Sequence, residues 1–295
     1  MLLDPKHFDQ PERGNFRAQR PSLLNVGCGS HFHKDWTNLD LISEDIEVLC
    51  HDLTSGLPFP DEHFDAVYHS HVLEHLKPND GLKLLQECFR VLKPGGIVRV
   101  VVPDLERIAK LYLEMHDKAW EGDPQAKSDY DWMKLELLDQ LVREYSGGRM
   151  GPFMTDPEIR NSEFVKSRVG YEFLICNDRP DEEIKRTTWL DLLEQKTSGI
   201  RNWLARKAVR ILLGPVGESA LDEGLFRNSG EVHRWMYDRF SLKDLCGSLG
   251  FSDFQILSAP VSQVPEFASY KLDVVDGEIR KPDSLFIECR KPAQI

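Results

Sequence analysis

Several features that mark other protein classes are missing from this chain of 295 residues. Its six cysteines lie far apart and form no Cys-x-x-Cys pair, which argues against a zinc ribbon and a small disulfide scaffold. No apolar run approaches the ~18 residues of a membrane span. The first residues also lack a basic segment leading into an apolar one. We therefore expect a cytoplasmic protein without a signal peptide or transmembrane helix.

Positive charge is also scarce. Lys+Arg number 37 against 49 for Asp+Glu, so the formal net charge is −12 at pH 7. This balance repels polyanions, and we expect no nucleic-acid partner. The hydrophobic fraction of 41% and the charged fraction of 29% are typical of a globular protein. The length allows one large α/β domain that carries an insertion.

One glycine-containing turn stands out among the features that are present. The apolar run 23–26 ends at Gly27-Cys28-Gly29, a pattern typical of a buried strand entering a tight turn. Glycine has no Cβ, so a ligand can lie against its backbone. Asp40 follows the next predicted strand, where its carboxylate can accept hydrogen bonds from a ribose diol. The combination predicts a site for a nucleoside-bearing cofactor.

Further strands and helices alternate along the first third of the chain. Strands are predicted at 47–50, 64–68 and 97–102, with a helix over 81–92, and this alternation predicts a mostly parallel sheet covered on both faces. Only residues 27–36 separate the first two strands, so we expect a crossover helix of about a single turn. Another helix is predicted to begin at Val72 and to end before Pro78.

The pattern changes after Asp104. Residues 105–230 are mainly helical by pattern, and strand patterns return at 254–257 and 285–289. We therefore divide the chain into an N-terminal arm (1–20), a cofactor-binding half (21–104), a helical insertion or cap (105–230) and a C-terminal completion of the sheet (231–295).

A nicotinamide dinucleotide is not the cofactor that this turn favours. Its fingerprint requires a third Gly or Ala where this chain has Phe32, and an acidic residue about 20 residues on, whereas Asp40 comes much earlier.

Six stretches between residues 23 and 104 form a linked set. They are Asn25-Val26-Gly27-Cys28-Gly29, Asn38-Leu39-Asp40, His51-Asp52-Leu53, Leu57-Pro58-Phe59-Pro60-Asp61 with Phe64-Asp65, Val72-Leu73-Glu74-His75, and Arg90-Val91-Leu92-Lys93-Pro94-Gly95-Gly96. With this set the chain resembles the class I S-adenosylmethionine-dependent methyltransferases, most closely the methyltransferase-11-like group. The resemblance implies a Rossmann-like, doubly wound α/β fold. Its seven-stranded sheet would be mostly parallel, with an antiparallel strand near the C-terminus and a helical insertion.

The resemblance also implies how S-adenosylmethionine would bind. Gly27 and Gly29, with Cys28 between them, would let the methionine part pass over the turn. Asp40, with Leu41 beside it, would bind the ribose hydroxyls.

Three further residues are implied to contact the same cofactor. Asp52 and Leu53 would hold the adenine, and His69 would lie beside the cofactor. A nucleophilic role for the Cys28 thiol is the alternative for that residue, but no companion base is indicated. We favour a small side chain that fills the turn.

Methyl transfer needs a general base only where an alcohol or ammonium must lose a proton. Imidazole titrates near neutrality, so His71, His75 and His233 are candidates, and Asp104 ends a strand on the ligand-binding side of the sheet. Structural hydrogen-bonded histidines are the alternative.

Residues 71–75 also match H-x-x-E-H, a pattern seen in one class of zinc peptidases. Because Pro78 is expected to end the helix within a turn, we favour a helix start at the cofactor's edge and expect no metal ligands.

The segment 199–214 is locally basic and carries an apolar stripe at helical spacing. Such a helix either faces the core with solvated charges or lies weakly on an anionic membrane surface. We favour the core-facing arrangement.

The expected activity is methyl transfer from S-adenosylmethionine to a small-molecule acceptor. A sugar or glycan precursor is the class implied by resemblance to methyltransferases associated with surface-polysaccharide pathways. A non-catalytic S-adenosylmethionine-binding regulatory module is the alternative, and a nicotinamide-dependent sugar-modifying enzyme is the third hypothesis.

Overall fold

A computed structural model describes residues 21–178 and 199–293 of the chain. Its main sheet has seven strands in the order β3-β2-β1-β4-β5-β9-β6. The strands are β1 (Leu23–Val26), β2 (Thr37–Asp40), β3 (Val48–Cys50), β4 (Phe64–Ser70), β5 (Leu92–Pro103), β6 (Ser252–Leu257) and β9 (Ser284–Arg290). Strands β1 to β5 pair in parallel, and β9 lies antiparallel between β5 and β6. This arrangement confirms the predicted fold class. A separate two-stranded ribbon pairs β7 (Val274–Val275) with β8 (Glu278–Ile279).

Eight α-helical segments are described. They are α1 (Pro78–Val91), α2 (Leu105–Trp120), α3 (Pro124–Val142), α4 (Met150–Met154), α5 (Ser162–Val169), α6 (Tyr171–Asp178), α7 (Gly199–Arg227) and α8 (Arg239–Ser248). The prediction of a helix from Val72 to Pro78 is wrong. That segment holds only a 3₁₀ turn, Leu73–His75, and Pro78 begins α1. Proline is well placed at a first helical position because the amide it lacks would have no helical partner there.

The two faces of the main sheet are covered differently. Alternate residues along the strands point to opposite faces. One face packs Leu24, Val67 and Val100 against apolar side chains of α1 and α8. The other face packs Tyr68 and Val101 against the segment 259–272, which includes a 3₁₀ turn at Phe267–Tyr270. The sheet is therefore covered on both faces, as predicted.

The first crossover, residues 27–36, contains turns and bends but no helix, so the single-turn helix expected there is wrong. Aromatic contacts hold this short connection instead. The Trp36 ring meets Tyr68, Phe267 and Tyr270 edge-on at centroid distances of 6.0, 6.3 and 5.4 Å. His31 Nε2 lies 2.8 Å from the carbonyl oxygen of Lys271. The 259–272 segment thus packs against the crossover and covers the sheet where the helix of a longer crossover would lie.

The helices that follow β5 have a hydrophobic core of their own. Trp132, Met133 and Val165 are buried there together with side chains of α2 and α4. Inside it, Arg168 Nη2 pairs with Glu136 Oε1 at 2.6 Å, and Trp132 Nε1 donates to Glu136 Oε2 at 2.9 Å. Helices α2 to α7 occupy the stretch predicted to form the insertion. The division into four regions stays a prediction, and its arm, 1–20, lies outside the described residues.

Helix α7 bends back on itself at Gly214, whose φ of 69° and ψ of −163° are not helical. Arg206 pairs with Asp222 and Arg210 with Glu218 across the bend, so the two arms form a helical hairpin. The expectation that the apolar stripe of 199–214 faces the core is wrong for its described side chains. Four apolar residues near the bend are exposed instead: Ile211, Leu212, Leu213 and Val216. None of the described helices is long and apolar enough to cross a membrane.

Candidate functional site

The site lies where the parallel strands end. The ends of β1, β2, β4 and β5 meet at one edge of the sheet, and the antiparallel β9 begins there at Ser284, which pairs with Pro103. Ligands bind at this edge in open α/β sheets because the loops after the strands form a crevice there. Two groups of predicted residues lie along this edge, a glycine turn after β1 and a histidine-rich cluster after β4. Outside these groups lie Asp52, Leu53, His69 and Asp104.

The glycine turn is held by the end of β2. The amide of Gly27 donates to the Leu39 carbonyl at 2.7 Å, and the amide of Gly29 donates to Oδ2 of Asp40 at 2.7 Å. The other Asp40 oxygen, Oδ1, accepts from the amide of Leu41 at 2.7 Å. A carboxylate oxygen has two lone pairs. Each of the two Asp40 oxygens can therefore accept one further hydrogen bond from a ligand hydroxyl. The structure therefore places Asp40 and Leu41 directly beside the turn.

Both glycines adopt positive φ, 65° at Gly27 and 56° at Gly29, but their surroundings differ. A Cβ on Gly27 would collide with Cγ2 of Val72, whereas a Cβ on Gly29 would meet no protein atom within 4 Å. Gly27 is needed for packing against the segment after β4. Gly29 leaves an open cradle of backbone beside the Asp40 carboxylate.

Cys28, between the two glycines, is buried. Burial, together with the nearby Asp40 carboxylate, raises the pKa of its thiol to about 12. The thiolate is the nucleophilic form of cysteine, so this environment suits a packing residue rather than a nucleophile.

Asp52 and Leu53 follow β3. The exposed Asp52 carboxylate caps the 3₁₀ turn Leu53–Ser55, because its Oδ1 accepts from the amide and the hydroxyl of Thr54 at 2.9 and 2.7 Å. These bonds lower the pKa of Asp52. Leu53 packs partly buried against the core. Oδ2 of Asp52 takes no part in this cap.

His69, which the resemblance implied to lie beside the cofactor, is fully buried in the sheet. It lies within β4, paired with Val26 and Val100, and has no exposed surface. Both ring nitrogens lack a hydrogen-bond partner among the described residues. Burial lowers the pKa of this imidazole to about 4. A bound ligand would touch the ring only after a local rearrangement.

His71 joins two other residues at the end of β4. Its backbone φ is 55°, in the left-handed region that residues other than glycine rarely adopt. Its Nδ1 lies 3.0 Å from Glu74 Oε1, and its Nε2 lies 2.9 Å from Ser284 Oγ. The carboxylate favours the tautomer with a proton on Nδ1, which leaves Nε2 as the proton acceptor. Ser284 was missed by sequence reasoning, since nothing in its local sequence links it to His71.

The structure brings His75 and His233 together with Glu74. Their imidazole rings meet edge-on with centroids 4.7 Å apart. The segment that carries His233 is anchored by two backbone bonds, from Arg234 to the Glu74 carbonyl at 2.6 Å and from His233 to the Gln140 carbonyl at 2.9 Å. In the sequence, Glu74 belongs to the H-x-x-E-H match, whose metal-binding alternative was not the favoured one. Its proximity to His233 appears only in the fold.

Charge and burial compete in this cluster. Burial opposes the charged form of Glu74, but its interaction and hydrogen bond with His71 are the largest influences that lower the pKa of its carboxyl, to about 2. Burial also lowers the pKa of His75 and, more strongly, that of His233. The cluster therefore holds a buried carboxylate beside two imidazoles, those of His75 and His233, whose burial favours the neutral form.

Asp104 lies at the same edge but has a different role in the fold. Its side chain caps α2 by accepting from the amide of Arg107 at 3.2 Å, and its backbone bridges to Tyr237. Burial raises the pKa of its carboxyl. Of the four predicted catalytic residues, His71, His75 and His233 surround Glu74, whereas Asp104 does not contact them through any described hydrogen bond.

Comparisons with known proteins point to one family for the first part of the chain. Residues 24–100, about a quarter of the chain, match a family model described as a methyltransferase domain. The match extends from β1 into β5 and confirms the resemblance drawn from the sequence stretches in that region. It includes neither the helices after β5 nor the last strands.

Three curated relatives match parts of the chain. The ubiquinone/menaquinone biosynthesis C-methyltransferase UbiE of Vibrio cholerae is 46% identical over 59 residues, 19% of this chain and 22% of that protein. A probable S-adenosylmethionine-dependent methyltransferase of Mycolicibacterium smegmatis is 43% identical over 54 residues, 18% of this chain and 20% of that protein. The probable methyltransferase ltbC of Aspergillus luteorubrus is 48% identical over 125 residues, 39% of this chain and 38% of that protein. The chain thus spans well under half the length of each relative.

Proposed function

We propose that the chain is an S-adenosylmethionine-dependent methyltransferase acting on a small-molecule acceptor. The observation that carries the proposal is the open backbone cradle at Gly29, held beside the Asp40 carboxylate by a 2.7 Å hydrogen bond. It lies within the segment that matches the methyltransferase domain. The names of the relatives support the same cofactor and reaction class.

The residues at this edge fit the cofactor. Asp40 is partly exposed and retains acceptor capacity for the ribose hydroxyls. The space beside Gly29 accepts the methionine part, and Oδ2 of Asp52 suits an exocyclic amine of adenine. The sulfonium supplies an activated methyl group, so the protein mainly has to align the acceptor with it.

For acceptors that must lose a proton, we propose Nε2 of His71 as the base. Glu74 orients the ring from Nδ1, and Nε2 lies at hydrogen-bond distance from the Ser284 hydroxyl, which an acceptor hydroxyl would replace. The side chain of His71 keeps 17% of its surface exposed, whereas His233 is almost fully buried. Access thus favours His71 over His233 for contact with substrate.

The acceptor class we propose is a sugar or glycan precursor. The proposal rests on the family resemblance and on the polar character of this edge, where Asp104 and His71 offer acceptors for substrate hydroxyls. The helices after β5 would shape the acceptor pocket, since Asp104 begins α2.

Weak contact with an anionic membrane surface is a further part of the proposal. The exposed apolar residues at the bend of the helical hairpin support it, together with the basic side chain of Lys207 on the first arm. Co-sedimentation with anionic vesicles at low salt tests the contact, and replacement of Ile211 and Leu212 by Ser should abolish it. Failure of the unmodified chain to co-sediment would remove this part of the proposal.

Calorimetry with S-adenosylhomocysteine and with NAD tests the main proposal. We expect binding of S-adenosylhomocysteine and none of NAD, and the reverse result would favour a nicotinamide-dependent enzyme. Incubation with methyl-labelled S-adenosylmethionine and a metabolite extract then separates an enzyme from a regulatory module. Transfer of label to an extractable product supports the enzyme and identifies the acceptor. Cofactor binding with no transfer across extracts from several growth conditions would favour the module.

A further inference from the structure

Glu74, His75 and His233 offer three donor atoms that lie within 4.8 Å of one another. The three residues come from two separate segments, the 3₁₀ turn after β4 and the stretch between α7 and α8. Glu74 is fully buried and His233 keeps 3% of its surface exposed. A carboxylate and two imidazoles form a donor set suited to Zn²⁺ and related divalent transition ions.

The cluster contains polar atoms that the protein itself leaves unused. Oε2 of Glu74, Nδ1 of His75 and Nδ1 of His233 are buried without hydrogen-bond partners among the described residues. Oε1 of Glu74 lies 3.0 Å from Nδ1 of His71. Buried polar groups are usually paired, and leaving one unpaired costs about 1–3 kcal/mol. Each residue of the cluster thus leaves a buried polar atom unpaired within the described part of the chain, as expected where a positively charged partner binds.

We propose that Glu74, His75 and His233 form a binding site for one divalent transition metal ion, with Zn²⁺ as the best-fitting class. Donor atoms about 2.0–2.1 Å from a tetrahedral zinc lie about 3.4 Å apart. The three donor atoms, which lie within 4.8 Å of one another, would approach by up to about 1.4 Å on binding the ion. One position remains for a water or a ligand oxygen. His71 then acts as an outer partner that fixes the carboxylate through Oε1.

The charges around the cluster are compatible with a cation. The positive charge of Arg143 acts on both imidazoles, but Arg143 is itself paired with Asp139 at 3.0 Å and with Glu231 at 3.2 Å. The Glu74 carboxylate supplies the negative charge at the centre. A bound ion would neutralise that charge and also use the lone pairs of two neutral imidazoles.

The ion would join parts of the chain that are distant in sequence. Val72 packs on Gly27, so the 71–75 turn touches the glycine turn, whereas His233 lies in the segment returning from the helices after β5. The metal would therefore tie the returning segment to the edge of the sheet. This inference does not depend on methyltransferase activity.

The test uses the untagged full chain, stripped with a chelator and dialysed. Calorimetry with Zn²⁺ should give one equivalent bound, and Co²⁺ should give visible ligand-field absorption from nitrogen ligands. Zn²⁺ should also raise the melting temperature of the unmodified chain. His233→Asn and His75→Gln should each weaken Zn²⁺ binding at least about a hundredfold, since first ligands matter more than the outer partners whose loss costs 10–100-fold. His116→Gln, at an exposed His–Asp pair, is the matched control and should bind as the unmodified chain does.

No stoichiometric Zn²⁺ binding and no melting shift in the unmodified chain would overturn the site, as would full binding by a folded His233→Asn variant. The melting measurement on the unmodified chain decides the matter even where the variants do not fold. S-adenosylhomocysteine binding is measured on the same stripped sample. If the chain binds Zn²⁺ but not S-adenosylhomocysteine, the proposed function alone is rejected. If it binds S-adenosylhomocysteine but not Zn²⁺, the metal site alone is rejected.

Discussion

The amide of Gly29 donates a 2.7 Å hydrogen bond to Oδ2 of Asp40, eleven residues further along the chain. This bond joins the turn after β1 to the end of β2, the two positions that the sequence assigned to one cofactor. One carboxylate therefore supports the turn and, in the proposed function, also binds the cofactor ribose. A substitution at Asp40 tests both roles.

Asp40→Ala should lose most of the affinity for S-adenosylhomocysteine while the fold stays intact. It removes the acceptor for the ribose and the support for the Gly29 amide, and hydrogen bonds to a charged group contribute about 1.5–3 kcal/mol each. We expect at least about a tenfold weaker Kd by calorimetry. Asp40→Asn, which keeps one oxygen, should lose less. An unchanged Kd in a folded Ala variant would show that the ribose binds elsewhere.

Alanine at the two glycines should separate packing from binding. Gly27→Ala adds the strain of positive φ and a clash with Val72, so we expect a loss of about 2–4 kcal/mol in the free energy of unfolding. Gly29→Ala adds strain alone, about 1 kcal/mol, but fills the cradle. Urea unfolding and calorimetry measure the two effects. Equal stability losses, with equal cofactor affinity, would contradict these assignments.

His71→Gln should reduce turnover rather than cofactor binding. If Nε2 accepts the acceptor's proton, kcat should fall about 10²–10⁴-fold, the usual contribution of general base catalysis. The Kd for S-adenosylhomocysteine should stay within about twofold. The assay uses the acceptor identified by label transfer, with exposed His116→Gln as the control. An unchanged kcat would place the base at another residue or show that none is needed.

His69 should make stability fall as the medium becomes acidic. Its pKa is lowered from 6.5 to about 4 by burial, so the unfolded chain binds the extra proton first. The stability that the neutral ring provides is complete above the unfolded pKa of 6.5. It is lost as pH falls from there towards 4, and the loss between about pH 7.5 and pH 5 amounts to about 2 kcal/mol.

Urea unfolding of the unmodified chain and of His69→Gln at both pH values isolates this contribution. The variant should show a smaller decrease by about 2 kcal/mol, whatever its stability at neutral pH. Parallel decreases in the two proteins would show that His69 does not titrate as its burial implies.

Local patterns sufficed for the glycine turn, the first five strands and a mostly parallel sheet covered on both faces, whereas the seven strands with one antiparallel followed from the family resemblance. Apolar runs that end in glycine or aspartate depend on near neighbours, so β1, β2 and Asp40 could be located from the chain alone. Predictions from local sequence were wrong where contacts with another segment determine the conformation. The crossover at 27–36 needs no helix because Phe267 and Tyr270 pack on it. Pro78 begins a helix because the preceding turn closes at His75.

By itself, then, the sequence determined the mostly parallel sheet, the edge at which its strands end and the residue types available there, since each follows from periodicity and short spacing. The seven strands with one antiparallel followed from the family resemblance. Only the tertiary structure decided which of these side chains meet. It buried His69 inside the sheet, set His71 between Glu74 and Ser284, and brought His233 to Glu74 and His75 from a segment more than a hundred residues away. Such contacts arise from packing between remote segments, and no local pattern encodes their geometry.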